Sequence, residues 1–438
     1  MANSEEKKKY KFLIVSSVGC GTNIAYRLKK EGNEVKMFIQ DASESDLLEG
    51  SIVEKIDDWE REKSWADIII FDDIYFGFRQ NELRQQGFKV IGGSDLGDRL
   101  ELNRKFALDY FKKMNVNIPK TFDFDSFTAA KRFLKEHDNK RFIIKFEGKA
   151  GDEKSMVYIA QLPDCSDLIK IMEHYEKSWN TSWGEPEFVL QEVIEGVEVA
   201  VTALFNGEKF LMPVYMNFEN KRFLTGDLGV MTGEQGTHGF FTFDKLKLFK
   251  NTLKKIEDDL KNDGYVGCID VNCIVNEDGI WPLEFTSRFG YPLIHLILEA
   301  IRGHTRFTDL MVGLVDKTMD FIEADDGYQI GVVVCVPTYP YEDGYERYGK
   351  ELPVIIMDDS VNDFFHIGDL KIEKGDWVTA GSIGYAFIMT GRGDTMFDAK
   401  TLAYKNIGKI IVPNAIYRID ISDRWIKDYP KLHRWGFI

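Results

Sequence analysis

Apolar residues in this chain come in short runs separated by turn residues. Residues 10–16 are almost continuously apolar and read as a buried parallel strand. Gly19 and Gly21 follow. Ile24 and Leu28 then mark one face of a helix from Asn23 to Glu31, stopped by Gly32. Runs at 35–39, 67–71 and 89–91 read as further strands. Alternating strand and helix over about the first hundred residues predicts an open doubly wound α/β domain.

The period then changes. Leu102, Phe106, Tyr110 and Phe111 predict one helix over Asp98–Met114, and Ser126 caps another to about Glu136. Strands are predicted at 141–145, 156–160, 187–193 and 199–205, with a turn at Asn206-Gly207. Residues 225–239 hold five glycines with almost no periodicity and read as a functional loop. Leu246, Phe249, Leu253, Ile256 and Leu260 predict one amphipathic helix from Phe243 to Leu260, ended by Gly264. Tyr265–Val275, the turn at 276–279 and the segment reaching Phe285 read as a hairpin. A helix from Leu293 to Arg302 follows, in which His295 is read as packed or at the surface and not as a ligand. From Tyr328, strands at 331–336, 352–357, 364–367, 377–380 and 384–390 and a helix at 398–406 predict a small α+β domain. The expected organisation is an N-terminal α/β domain over 1–95, a second domain over 96–325 with a subdomain at about 120–195, and an α+β domain over 326–438.

Composition narrows the function classes. The 438 residues are too many for one core, while 44% apolar and 13% aromatic residues supply ample core. A net charge of −16 argues against general nucleic-acid binding. Cys20, Cys165, Cys268, Cys273 and Cys335 have neither zinc nor disulfide spacing and read as reduced thiols of a cytoplasmic protein. The polar stretch Met1–Lys9 carries no signal-peptide pattern, and no run reaches membrane-spanning length.

The candidate chemistry centres on Trp281–Gly290. A strand there delivers Glu284 and, just beyond, Arg288, a carboxylate and a planar guanidinium suited to a metal-bound phosphate. A surface salt bridge reads the same residues equally well. Gly19-Cys20-Gly21, with Asp41 about 20 residues on, fits either a dinucleotide fingerprint or, preferably, a phosphate- or substrate-facing turn. Lys145 ends a strand before Glu147, Gly148, Gly151, Lys154 and Ser155, a segment suited to a lid over phosphates or to an ordinary solvated hairpin tip.

Taken in order, these pieces resemble the ATP-grasp superfamily, and within it glycinamide ribonucleotide synthetase, that is, phosphoribosylamine–glycine ligase. The resemblance rests on Ile144-Lys145-x-Glu147-Gly148, on Gln191-Glu192-Val193-Ile194-Glu195-Gly196-x-Glu198, on Lys221-Arg222 with Asp227-x-Gly229-x-x-Thr232-Gly233-x-x-Gly236, and on Glu284-Phe285-x-x-Arg288-Phe289-Gly290-x-Pro292. It implies an ATP-grasp fold, α/β and α+β, with an N-terminal doubly wound domain and a small C-terminal domain. It implies a ligase joining a carboxylate, glycine or another amino acid, to an amine through an acyl phosphate, with ATP and Mg²⁺, Mn²⁺ being an alternative metal. By the same resemblance Arg104, Lys145, Gly148, Gly151, Ser155 and Lys221 would meet the nucleotide. Glu192, Val193 and Ile194 would meet adenine through main chain, and Glu198 would hold the ribose. Arg288, Lys154 and Asp227 would serve the chemistry. Glu284 would hold the metal, aided by Asp270, Asn272 or Thr286.

The departures are local. The family's Gly-Gly-Arg-Glu-His turn, which holds the ribose-phosphate amine, is here Gly19-Cys20-Gly21-Thr22-Asn23, without Arg or His. Its Gly-Pro-Glu-x-Pro is Asp72-Asp73-Ile74-Tyr75-Phe76. Thr286 replaces a metal-binding Asn, Tyr291 an Asp and Arg104 a Lys. Pro337-Thr338-Tyr339-Pro340 stands where the family is glycine-rich. The expected acceptor is therefore an amine other than phosphoribosylamine, with authentic phosphoribosylamine–glycine ligase and a non-catalytic nucleotide-binding protein as alternatives. The oligomeric state is left open.

Overall fold

The computed structural model describes residues 8–137, 140–146, 156–243, 245–341 and 344–438. Its first sheet is parallel, in the order β3-β2-β1-β4-β5, formed by β1 (Lys11–Ser16), β2 (Glu34–Ile39), β3 (Glu54–Lys55), β4 (Ile68–Phe71) and β5 (Val90–Ile91). Period two divides β1 between two cores. Phe12 and Ile14 pack with Ile24 and Leu28 of the helix Thr22–Lys30, while Leu13 and Val15 pack with Ile69, Phe71 and Leu83. Both faces are covered, which is why the strand reads as a continuous apolar run.

A separate antiparallel sheet, β6-β9-β7-β8, follows: β6 (Thr121–Phe124), β7 (Phe142–Phe146), β8 (Tyr158–Ile159) and β9 (Phe188–Glu192). It has its own core of Phe127, Leu134, Phe142, Ile144, Met172, Phe188 and Leu190, roofed by helices Phe127–Glu136 and Ser166–Ser178.

The largest sheet is eight-stranded and antiparallel. Its members are β10 (Val197–Phe205), β11 (Val214–Glu219), β14 (Gly236–Thr242), β15 (Gly267–Asn276), β16 (Gly279–Thr286), β17 (Tyr328–Val334), β19 (Phe365–Ile367) and β22 (Phe387–Gly393), in the order β16-β15-β10-β11-β14-β17-β22-β19. A hairpin, β12 (Arg222–Leu224) and β13 (Leu228–Met231), projects between β11 and β14. A small sheet of β18 (Pro353–Ile356), β20 (Leu370–Glu373), β21 (Asp376–Thr379) and β23 (Ile410–Ile411) completes the C-terminal part. The eight-stranded sheet crosses residue 325, because β17 pairs directly with β14.

Three expected elements differ. Residues 98–114 form two helices, Asp95–Leu102 and Arg104–Lys113, not one. Asn103 between them is extended, and its side chain accepts from the Phe106 N–H at 3.0 Å. A short side chain that can take over backbone hydrogen bonding ends one helix and caps the next without altering the apolar spacing. The helix expected over Phe243–Leu260 is broken at Thr252, whose hydroxyl donates to the Leu248 carbonyl at 2.7 Å. Phe249, Leu253, Ile256 and Leu260 are buried all the same, so the period was right and the continuity was not. Residues 225–239 are not a loop but the β12–β13 hairpin and the start of β14. A Cβ on Gly239 would lie 2.3 Å from the Met216 carbonyl oxygen, so glycine there permits close strand contact. Val214–Glu219 and the C-terminal helix Trp425–Trp435 were not foreseen. Among the described residues no helix is long and apolar enough to cross a membrane.

Phe111 and Phe285 join the helix Arg104–Lys113 to β16, stacked with ring centroids 4.7 Å apart and both buried. Phe111→Ala should cost about 3–5 kcal/mol of unfolding free energy in a denaturant titration, the usual range for deleting a core aromatic. A loss below about 1 kcal/mol would show that this contact does not hold the helix to the sheet.

Candidate functional site

Four neighbouring strands bring acids to one face. In β15 and β16, Asp270 faces Thr286 and Asn272 faces Glu284, followed by a bulge after Asn272. Period two keeps Asp270 and Asn272 on one face, and the antiparallel register lays Glu284 and Thr286 beside them. Asn272 Nδ2 donates to Glu198 Oε1 of β10 at 2.8 Å and to Glu219 Oε2 at the end of β11 at 3.2 Å. Lys221, two residues past that end, reaches into the group. Its Nζ lies 2.8 Å from Glu284 Oε1, 3.1 Å from Glu219 Oε2 and 3.4 Å from Glu198 Oε1.

The electrostatics follow from this packing. Burial disfavours the Lys221 ammonium, but Glu219, Glu284 and Glu198 overcome it and hold its pKa well above the usual lysine range. Burial raises Glu219, with Glu198 and Glu284 adding to the rise and Lys221 opposing it. Lys145 in β7 donates to Gln191 Oε1 at 2.9 Å; burial and then Arg104 lower its pKa to about 8, against the pull of Glu284. Burial and Glu219 push Asp270 up, Arg288 partly opposes this, and Thr286 hydrogen-bonds its carboxyl.

A second group lies on the far side of Asp270. Arg288 Nε lies 3.3 Å from Glu101 Oε1 and 3.9 Å from Asp73 Oδ1, and its Nη1 donates to the Phe289 carbonyl at 3.1 Å. Glu101 also accepts from the Ser287 N–H at 2.6 Å. Asp72, just past β4, accepts from the Ser16 hydroxyl at 2.7 Å and from the Gly21 N–H. Burial, then Asp73, raises its pKa to about 7.

Of the residues singled out in the sequence, Glu198, Lys221, Asn272 and Glu284 share one cluster. Asp270 and Thr286 adjoin it, and Lys145 and Arg104 are within its electrostatic reach. Glu192 instead pairs with Lys140 at 2.6 Å, and the Val193 N–H donates to the Arg141 carbonyl; Ile194 continues that strand exit toward β10. Asp227 is elsewhere, at the tip of the β12–β13 hairpin, where Arg418 Nη1 holds it at 2.9 Å. Gly148, Gly151, Lys154 and Ser155 lie outside the described residues. Asp41 caps a short 3₁₀ turn by accepting from the Ser43 N–H, and His295 is packed inside against His366. The sequence reading missed Glu219 and Glu101. Glu219 had a usable signal, an acid ending an apolar run two residues before Lys221.

Among the described residues no group of three His, Cys, Asp or Glu side chains is arranged to hold a metal. The donors nevertheless suit a hard cation that takes one or two protein oxygens and keeps its waters. With its Nδ2 committed to two glutamates, Asn272 has an Oδ1 that is buried and without a partner among the described residues, as is Asp270 Oδ1. Glu284 stands opposite Asn272 in the ladder. This oxygen-only set fits Mg²⁺.

Removing the ammonium leaves carboxylates facing one another. Lys221→Met should cost about 1–3 kcal/mol, the usual penalty for leaving partly buried polar groups without their partner. In that variant the folded-state carboxylate pKa values rise above the unfolded ones, so stability falls as pH rises through them. The deficit in melting temperature against wild type should be larger at pH 8 than at pH 5; an equal deficit at both would show that repulsion is not its cause.

Comparison with known proteins relates both the sequence and the fold to one group of enzymes. Residues 102–293 match the phosphoribosylglycinamide synthetase, ATP-grasp (A) domain. The phosphoribosylamine–glycine ligase of Streptococcus pneumoniae is 25% identical over 438 residues, 95% of this chain and all of that protein. The bifunctional purine biosynthetic protein of Pichia angusta is 30% identical over 80% of this chain, which spans 44% of that longer protein. In fold, the crystal structure of the phosphoribosylamine–glycine ligase of Thermotoga maritima superposes with a TM-score of 0.69 at 20% identity, covering 94% of this chain and all of that one. The biotin carboxylase domain of 2-oxoglutarate carboxylase from Hydrogenobacter thermophilus gives 0.62 at 12% identity, covering 98% and 96%. The Lys221 cluster lies inside the matched span, and the chain is an ATP-grasp ligase resembling the phosphoribosylamine–glycine ligases.

Proposed function

We propose that this ligase uses Mg-ATP to join a small carboxylate, glycine or another amino acid, to an amine other than phosphoribosylamine. The observation that carries the reading is Lys221 held by Glu198, Glu219 and Glu284 from three strands, beside the Asn272–Glu284 pair. A carboxylate oxygen attacks the γ-phosphorus, and the bond from that phosphorus to the β–γ bridging oxygen breaks, releasing ADP and leaving an acyl phosphate. The amine nitrogen then attacks the acyl carbon as the C–O bond breaks. Of the two protons shed by the ammonium form, one leaves on phosphate and one passes to solvent.

Glu284, with Asn272 and with Asp270 or Thr286 adjoining, would hold Mg²⁺ or Mn²⁺, which neutralises phosphate charge during the attack of one anion on another. Lys145, Arg104 and Lys154 would bring positive charge to the phosphates, and Gly148, Gly151 and Ser155 of the glycine-rich segment would offer backbone N–H groups. Glu198 is suited to the ribose hydroxyls, and the main chain of Glu192–Ile194 to adenine. Arg288 is placed to orient the acyl group. Lys221 neutralises the acids that would otherwise repel the nucleotide. The Asp227–Arg418 pair makes Asp227 a support for the hairpin beside the site. A second reading, glycine joined to phosphoribosylamine, is favoured by the names of the relatives. Against it stands the Asp72 carboxylate on the Gly21 N–H, in the turn where the family binds its ribose-phosphate amine.

Mg²⁺ with a non-hydrolysable ATP analogue should raise the melting temperature, and NAD should not. Glu284→Gln keeps shape and removes charge. It should keep the fold while lowering amine- and carboxylate-dependent ADP release about 100-fold or more, the scale set by deleting a preorganised electrostatic group. Near-normal turnover with an unchanged Mg²⁺ requirement would remove Glu284 from the metal site.

Lys145 gives a pH signature. Its ammonium attracts phosphate, and its folded-state pKa is about 8. Affinity for the analogue should therefore fall as pH rises through about 8 in the free enzyme. In Lys145→Arg, whose guanidinium stays charged, the fall should be absent. A flat wild-type profile from pH 7 to 9.5 would exclude Lys145 from phosphate binding.

A further inference from the structure

Beyond Arg288 the turn after β1, the end of β4 and the segment after β16 come together, and the charge they bring is of the wrong sign for a phosphate. Gly21 precedes the helix Thr22–Lys30, and its N–H points at Asp72 Oδ2, which also takes the Ser16 hydroxyl. The positive end of that helix is thus satisfied by an anion from the chain itself. Asp72 is fully buried, and its other oxygen, Oδ1, has no partner among the described residues. Among the described residues the buried hydroxyl of Tyr291, which feels Asp72, also lacks a partner, as does that of Tyr385, which lies within reach of Cys20 and Glu234. Asp72 is the charge that acts most strongly on Tyr291, and Cys20 feels Asp73, Asp72 and Arg288 together. Buried polar atoms are rarely left unpaired, so this set of orphans describes a ligand's outline.

The charge balance names the ligand's sign. Asp73 and Glu101 already share Arg288, and Asp72 and Asp369 are buried close by, with Asp369 Oδ2 held by the Gly384 and Tyr385 N–H groups at 3.0 and 2.8 Å. Even with both deep aspartates protonated, Asp73 and Glu101 outnumber the single guanidinium. Among the described residues a phosphate here would meet carboxylates and find no unshared cation. An ammonium would find Asp72 Oδ1 and the Asp73 carboxylate as acceptors and the two tyrosine hydroxyls to complete its shell.

Building on the ligase reading, we propose that this pocket binds the acceptor amine as a phosphate-free cation, its ammonium held by Asp72 and Asp73 beneath Tyr291 and Tyr385. Aliphatic amines and diamines belong to that class, and amines bearing a phosphate do not.

The test is calorimetric titration of the full chain with 1,4-diaminobutane, ethanolamine and phosphoethanolamine, each with and without Mg²⁺ and a non-hydrolysable ATP analogue. The two cations should bind, with phosphoethanolamine at least tenfold weaker than ethanolamine. Asp73→Asn and, separately, Asp72→Asn should each weaken 1,4-diaminobutane tenfold or more while leaving affinity for the analogue unchanged. Asp73→Asn touches no backbone cap of the β1 turn, so it reads the pocket even where Asp72→Asn disturbs the fold. Phosphoethanolamine binding as tightly as ethanolamine, no binding of either cation, or 1,4-diaminobutane binding insensitive to Asp73→Asn would each overturn the proposal. Failure of the analogue to bind would sink the ligase reading instead, and the titrations without nucleotide would still decide the sign of the pocket.

Discussion

The interaction on which the site depends is the contact of one lysine with three glutamates. Glu198, Glu219 and Glu284 lie on three strands of one sheet and would repel one another if left unpaired. Lys221 makes their proximity tolerable and so fixes how closely the ends of β10, β11 and β16 approach. Its length lets a residue from the root of the β12–β13 hairpin cross to the strand beyond its neighbours. Asn272 works in the same direction, donating to two of the acids and leaving its carbonyl oxygen buried without a partner among the described residues.

Around this cluster the molecule divides its charges by sign. Lys145 and Arg104 bring positive charge to one side, where Arg104 makes Lys145 easier to deprotonate and Glu284 makes it harder. On the other side Arg288 is surrounded by Asp73 and Glu101, with Asp72 behind them. Asp270 stands between the two halves and feels both Glu219 and Arg288.

The eight-stranded sheet supplies the rigidity for this arrangement. Residues that appear as separate domains along the chain share a backbone ladder, since β17 joins β14 and carries β22 and β19 with it. Asp369, from the C-terminal part, comes within electrostatic reach of Cys20 in the turn after β1. Loop residues held by a sheet edge can keep buried carboxylates in place without a bound ligand.

The sequence by itself determined the local elements and the motif order. The apolar run at 11–16, the hairpin from Tyr265 to Phe285 and the caps at Ser126 and Gly264 act through neighbouring residues, so they were legible. Glu284, Glu198 and Lys145 were legible because their motifs keep type and spacing. Continuity was less so: Asn103 and Thr252 each preserve the apolar period while redirecting a backbone hydrogen bond, and spacing does not register that. Tertiary structure alone decided that Glu219 joins the cluster, that Asp227 turns away to Arg418, and that Asp72 fills the Gly21 turn. Each of those contacts joins residues whose distance is set by strand register and sheet order, and side-chain charge along the chain carries no information about either.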